Sequence, residues 1–257
     1  MIAGRIFTFW SLVIVTFLVF YAISTARSGR PVKVRQLPAL EAIPEAIGRS
    51  VEMGRPVLYN LGIADIVGDT AAQTVAGLVV LSHVSKLAAE YGTKVIVPIR
   101  MPTVLPLAEE AVRNAYALAG KADRYDPNWV QYMSQEQWAF VSGVMGITQR
   151  ERPGANIMIG GFWSETLLLV ENGNSVGAIQ IGGTGNLPQV PFFVAACDYT
   201  LIGEEIYAAG AVASQDPVSL GSIDGQDLAK IYALALVVVG AVLATLGSPI
   251  LSDLIKL

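Results

Sequence analysis

Residues 56–99 read PVLYNLGIADIVGDTAAQTVAGLVVLSHVSKLAAEYGTKVIVPI, the pattern of a strand, a helix and a second strand. The apolar run 56–61 is bounded by proline and glycine, and the run 93–99 is rich in β-branched residues, as buried strands are. Asp69 and Thr70 are suited to begin the intervening helix, and Gly92 to end it. Two short apolar strands joined by a helix predict an α/β fold with a parallel sheet.

The same alternation continues along the chain. It predicts further elements: helix 107–118, strand 155–159, helix 163–170, strand 190–196 and helix 201–214. An aromatic-rich connector, 121–154, separates the two sets and contains a helix beginning near Ser134. With an offset of about 96 residues the halves 56–120 and 155–215 align, which leaves open an internal repeat. We therefore expect a Rossmann-like, mostly parallel sheet, with two similar βαβα halves if the repeat is real.

Two charge-free stretches flank this domain, at 6–26 and 231–251. About 20 apolar residues cross a bilayer as a helix, so both stretches predict transmembrane helices. A cleaved signal peptide is the alternative for the first, and a buried core helix for the second. The apolar stretch 70–84 is shorter and more polar, and we expect it to pack on the sheet. The predicted organisation is an anchor (1–30), a linker with an amphipathic helix (31–55), an α/β domain (56–230), and a second span with its tail (231–257).

The basic residues around the first stretch predict its orientation. Arg5 precedes it alone, and four basic residues follow it: Arg27, Arg30, Lys33 and Arg35. Because basic residues are retained on the cytoplasmic side, the body is expected in the cytoplasm and the amino terminus outside.

Composition excludes several classes of protein. The 257 residues are 53% hydrophobic and 15% charged, with a net charge of −4, so an acidic chain is a poor nucleic-acid binder. Cys197 is the one cysteine and His83 the one histidine, which excludes an intrachain disulfide framework and a Cys/His zinc set. The predicted partners are the bilayer and further copies of the chain, with no nucleic acid and no cofactor.

Glycine-rich segments are the first candidates for ligand binding. Gly160 and Gly161 form one, and Gly182, Gly183, Thr184 and Gly185 form another. Such segments can present backbone N–H groups to phosphate, but neither matches a known phosphate-binding motif, and ordinary turns are the simpler interpretation.

Cys197 and Asp198 are the second candidate, because they follow the predicted strand 190–196. The carboxyl ends of parallel strands are where α/β sheets bind ligands. A buried strand end is the simpler interpretation.

No catalytic constellation stands out in the sequence. His83 lies in an apolar helix, where a core or interface position is the simpler interpretation. The acidic pairs Glu109–Glu110 and Glu204–Glu205 are explained by first helical turns, where the helix dipole favours negative charge. A divalent-cation site between the two pairs is the alternative. We therefore predict no catalytic residue and no metal ligand.

Three segments carry a resemblance to a known family: GRPVLYNLGIADI, DTAAQTVAGL and PFFVAACDYTLIGEEIYAAGA. They resemble a prokaryotic family of membrane-anchored proteins known as a domain of unknown function. The likeness covers most of residues 45–250. It implies a membrane setting and brings no reaction and no site residues.

Four functions follow from these observations. The leading hypothesis is a self-associating structural or scaffold protein, because the body lacks a catalytic inventory and is apolar even outside the two predicted spans. The alternative is a membrane-tethered domain that binds a nucleotide or another small molecule and acts as a sensor. A membrane enzyme and a subunit of an oligomeric pore are the remaining hypotheses.

Overall fold

The structure is a computed structural model that describes residues 5–32 and 34–247. The chain forms two compact units, one from residues 1–34 with 215–257 and one from residues 35–214. We call the first the hairpin and the second the body. The hairpin consists of the helices α1 (Ile6–Arg27) and α10 (Pro217–Thr245). The body contains the other helices: α2 (Pro38–Glu41), α3 (Ile43–Glu52), α4 (Ala71–Tyr91), α5 (Leu105–Leu118), α6 (Gln137–Glu151), α7 (Thr166–Ser175), α8 (Val190–Ala196) and α9 (Glu205–Ser214).

The body is built on one sheet of six parallel strands. They are β1 (Val57–Gly62), β2 (Val95–Ile99), β3 (Val130–Tyr132), β4 (Ala155–Gly161), β5 (Ile179–Thr184) and β6 (Tyr199–Ile202). Their order across the sheet is β3-β2-β1-β4-β5-β6, and every neighbouring pair is parallel. This is the strand order of doubly wound nucleotide-binding folds, in which the direction of winding reverses between β1 and β4. The predicted α/β class and Rossmann-like sheet are confirmed.

Helices cover both faces of the sheet, as the near-continuous apolar strands require. Residues of alternating parity along each strand point to opposite faces. Val57, Tyr59 and Leu61 pack with α3, α4, α5 and α9 in the larger core, whereas Leu58 packs with α6, α7 and α8 in the smaller one. The acceptor of the Tyr59 hydroxyl proton is the carbonyl oxygen of Gly77 in α4, at 2.6 Å.

Three local predictions are wrong. Residues 190–196, predicted as a strand, form α8, because Pro191 suits a first helical turn and Phe193 packs on Gly182 of β5. The strand in this part of the chain is β5, whose Gly182 and Gly183 resembled a turn in sequence. The connector 121–154 also contains a strand, β3, whose three residues are too few to show a pattern.

These corrections change the proposed repeat. An offset of 96 residues places β1 on β4 and α4 near α7, but it places Val97 of β2 on Phe193 of α8. Each half of the sheet has three strands, β1 to β3 and β4 to β6, where two per half were expected. The one-to-one alignment therefore ends after α7.

Within residues 5–32 and 34–247, three helices are long and apolar enough to cross a membrane by length and composition: α1, α4 and α10. In α4 half of the residues in its most apolar stretch of 18 are buried inside the body. Val80, Leu81 and Val84 are fully buried, as expected for a helix packed on the sheet. In the most apolar 18 residues of α1 and of α10, 6% and 0% of the residues are buried. The terminal helices could therefore span a membrane. The last residues of the second predicted span, 248–251, and its tail lie outside the described residues, as does Lys33.

Candidate functional site

The carboxyl ends of β1 and β4 form the place where a doubly wound sheet binds its ligands. Gly160 and Gly161 end β4, and Gly62 ends β1. A side chain at Gly160 would overlap the Leu61 carbonyl oxygen, and one at Gly161 would press on Ala64. The Ile63 amide donates to the Gly161 carbonyl at 2.9 Å, so pairing continues beyond the strands. These glycines allow two segments of the chain to approach closely.

The second group of glycines lies in β5 and at its carboxyl end. Phe193 and Cys197 cover Gly182, and Leu201 covers Gly183, so neither glycine faces open space. Beyond them the Gly185 amide donates to Gln73 Oε1 at 2.9 Å, and the Thr184 hydroxyl contacts the same oxygen at 3.2 Å. Thr184 and Gly185 therefore connect the end of β5 to the first turn of α4.

Cys197 and Asp198 lie at the amino end of β6, which corrects their expected position at the carboxyl end of a strand. They therefore lie at the amino ends of the strands, whereas Gly160, Gly161 and Gly185 lie at the carboxyl ends. Burial, and to a lesser extent the Asp198 charge, raises the pKa of the Cys197 thiol to about 12. A thiol that stays protonated is a poor nucleophile. The structure thus divides the predicted ligand-binding residues between two edges, and their ligand-binding role stays a prediction.

Asp198 does line a cavity at the amino edge. Its carboxylate accepts a hydrogen bond from the Gln180 amide at 2.7 Å. The cavity measures about 290 Å³, and its other lining residues come from α3 and the neighbouring strands: Ala42, Glu45, Ala46, Arg49, Ile179 and Tyr199. One cationic and two anionic side chains therefore surround this opening.

Two side chains that sequence reasoning missed lie near the β1–β4 crossover. Asn60 is 1% exposed; its Oδ1 accepts from the Gly62 amide at 2.8 Å, and its Nδ2 has no partner. Arg100 follows β2, donates from Nη1 to the Ile63 carbonyl at 2.7 Å, and has a buried Nε without a partner. Polar residues at the ends of two apolar strand sequences were the available signal. Each residue therefore has one buried N–H group without a partner among the described residues.

A buried carboxylate also lies near this edge. Glu165 is fully buried at the start of α7. It accepts hydrogen bonds from the Trp163 amide at 2.9 Å and from Gln137 Nε2 at 2.8 Å. Because both oxygens have donors, this carboxylate holds α6 and α7 together.

Ion pairs and burial describe the surroundings of the acidic pairs and of the histidine. Glu110 forms an ion pair with Arg113, and Glu205 forms one with Arg35. Among the described residues no group of three or more His, Cys, Asp or Glu side chains could hold a metal ion. Burial, followed by the charge of Lys86, lowers the pKa of His83, so the imidazole is neutral at pH 7.

Comparison with known proteins finds no matching curated protein and no matching solved structure. A family model described as a domain of unknown function (DUF6754) matches residues 1–255. This agrees with the resemblance carried by the segments around β1, α4 and β6. The chain, with its two terminal apolar helices and its six-stranded parallel body, therefore belongs to the DUF6754 family.

Proposed function

We propose that this protein is a membrane-anchored structural protein that assembles with copies of itself. In this proposal α1 and α10 cross the bilayer and the α/β body lies in the cytoplasm. The basic residues at and after the end of α1 support this orientation, because Arg27, Arg30, Lys33 and Arg35 outnumber the single Arg5 before it.

Exposed apolar side chains on the body carry the proposal of self-association. We call one group the α8 surface: Leu187, Phe192, Val194 and Ile202. Leu187 is 68% exposed and Val194 is 54% exposed. Phe193 of the same helix is fully buried in the core, so these exposed side chains are not part of that core. Contiguous apolar surface on a soluble domain marks an interaction site. A second copy of the chain is the partner we assign to this surface.

The experiment compares two substitutions in the full chain extracted in detergent. Val194→Lys places a charge in the α8 surface, and Leu118→Lys places one on the exposed end of α5, at a residue 79% exposed. We expect sedimentation to show an oligomer for the wild type and for Leu118→Lys, and a smaller particle for Val194→Lys. A monomeric wild type would refute the proposal. An unchanged particle for Val194→Lys would remove the α8 surface from it.

A second candidate function is ligand binding by the body. The observation that favours it is the pair of unpartnered N–H donors at Asn60 and Arg100, beside the crossover between β1 and β4. We expect a ligand with an acceptor group, such as a carboxylate or phosphate, to raise the melting temperature. A panel of nucleotides and carboxylates tests this, with Arg100→Leu as the variant that should lose the shift. A panel without any shift counts against the second function.

A further inference from the structure

The helices α1 and α10 pack against each other in a register that offsets their apolar segments along the hairpin. They run antiparallel, since the Ser11 hydroxyl meets the Tyr232 hydroxyl at 3.1 Å and Gly221 lies against Ile23. A Cβ at Gly225 would lie 2.8 Å from Val19 Cα, and one at Gly221 would lie 2.8 Å from Ile23 Cα. These two glycines, four residues apart, let the backbones approach closely and fix the register.

This register places charged residues beside the apolar middle of α1. Asp227 lies two residues beyond Gly225, at about the level of Phe17, and Lys230 follows one turn later. With 22 residues α1 is about 33 Å long, close to the thickness of the hydrocarbon core, and Arg5 and Arg27 bracket it. If α1 spans the bilayer, Asp227 and Lys230 lie within it.

The charged side chains point away from α1. At 3.6 residues per turn, Asp227 and Lys230 lie roughly 140 to 160° around α10 from the line of Gly221 and Gly225. Asp227 is 62% and Lys230 50% exposed in the single chain, and the two side chains pair at 3.0 Å. The outer face of α1 at the same level is apolar, with Phe17 68% and Phe20 72% exposed. The hairpin therefore has one lipid-compatible face and one face that lipid cannot solvate.

We infer that the charged face of α10, around Asp227 and Lys230, meets α10 of a second copy of this chain inside the membrane, while α1 faces lipid. This inference rests on the proposed self-association and adds to the α8 surface a second contact surface within the membrane. Ionisable residues at bilayer depth lie almost always against protein or water. The Asp227–Lys230 pair is complementary to the same pair of a second copy, because the Asp227 carboxylate of one copy can meet the Lys230 ammonium of the next. Asp224, exposed about one turn before Asp227 at the side of this face, adds a second anion.

Cysteine cross-linking in native membranes tests the inference. In a Cys197→Ala background, Gln226→Cys puts a thiol beside the charged face and leaves both charges in place. Phe17→Cys is the matched control at the same depth on the outer face of α1. Ile223→Cys, one turn before Asp227 on the charged side, is a second reporter in case Gln226→Cys does not fold. Each variant is oxidised with copper phenanthroline and, separately, treated with a membrane-impermeant maleimide.

We expect the α10 variants to give a severalfold larger covalent dimer fraction than Phe17→Cys, and Phe17→Cys to resist the maleimide. Dimers at Phe17→Cys alone, or at neither helix in a particle whose mass is oligomeric, would overturn the inference and leave the proposed function standing. Rapid modification of Phe17→Cys would place the middle of α1 in water and would also overturn it. A monomeric particle mass, by contrast, is the failure of the proposed function itself.

Discussion

The body buries most of its large apolar side chains, whereas the hairpin exposes them. In the body the large apolar residues of the strands are buried, as Tyr59 and Ile157 are, and the buried carboxylate Glu165 is held by hydrogen bonds. In the hairpin the helices meet through glycine and alanine, and the large side chains of α1 and α10 face outward. A water-soluble unit places its apolar residues inside. The two helices of the hairpin could therefore span a membrane, whereas the body covers the large apolar residues of its strands by itself.

The largest effect that tests this contrast is expected inside the body. Gly160→Ala would place a methyl group on the Leu61 carbonyl oxygen, so β1 and β4 must separate. We expect the free energy of unfolding of the body to fall by about 3 kcal/mol, measured by urea titration. Gly146→Ala is the control, because a Cβ there meets nothing within 4 Å. Equal losses in the two variants would show that close approach of the strands is unimportant.

The corresponding change in the hairpin is Gly225→Val, which forces a side chain against Val19. We expect α1 and α10 to separate and the detergent-solubilised hairpin to lose about 2 kcal/mol of stability. The measurement is the midpoint of denaturation with SDS, followed by circular dichroism. Ala235→Val introduces the same β-branched side chain at an exposed position of α10 and should change little. A similar loss in Ala235→Val would contradict glycine-mediated packing.

A buried polar network in the body gives a comparable effect. Gln180 is fully buried; its Oε1 accepts from Asn156 Nδ2 at 2.8 Å, and its Nε2 donates to the Val170 carbonyl at 2.9 Å. Gln180→Leu removes both of these hydrogen bonds from a buried site, and we expect a loss of about 2 kcal/mol in thermal unfolding. Gln36→Leu, at an exposed position, is the control. Stability unchanged by Gln180→Leu would mean that water replaces the lost bonds.

The smallest effect concerns Cys197 and depends on pH. Its pKa is raised from 9.0 to about 12, so the protonated thiol favours the folded state. The stabilisation is therefore complete below pH 9 and is lost as the pH rises toward 12. Comparing wild type with Cys197→Ala in denaturation at pH 8 and pH 10.5 measures this difference. The thiol should also react with Ellman's reagent at pH 8 much more slowly in the native body than in urea. Equal rates would show an accessible thiolate.

Sequence alone predicted the parts of the body whose signal is local. The apolar runs of β1, β2 and β4 and the amphipathic helix near Pro44 were recognisable because burial imposes a regular pattern on them. Residues 190–196 and 179–184 were misassigned because glycine hides a strand and a short apolar run does not distinguish strand from helix. The β1–β4 crossover required the whole strand order, which no local pattern contains.

The surroundings of the predicted site and the packing of the hairpin could not be predicted from sequence for a different reason. Sequence could not show that Gly160, Gly161 and Gly185 lie against other segments of the body, because these contacts join residues far apart in the chain. The apolar lengths of α1 and α10 were evident. Their offset depends on Gly221 and Gly225 meeting Ile23 and Val19, which is a long-range contact that no local pattern contains.

The mass of the full chain in lipid nanodiscs tests the central claim most directly, because it preserves both the bilayer and the body. One chain has a mass of 27.3 kDa. Self-association predicts a protein mass that is a multiple of this value, and the multiple should fall when Asp227→Leu and Lys230→Leu remove the charged face of α10. A single chain per nanodisc, at concentrations that fill every disc, would contradict the account.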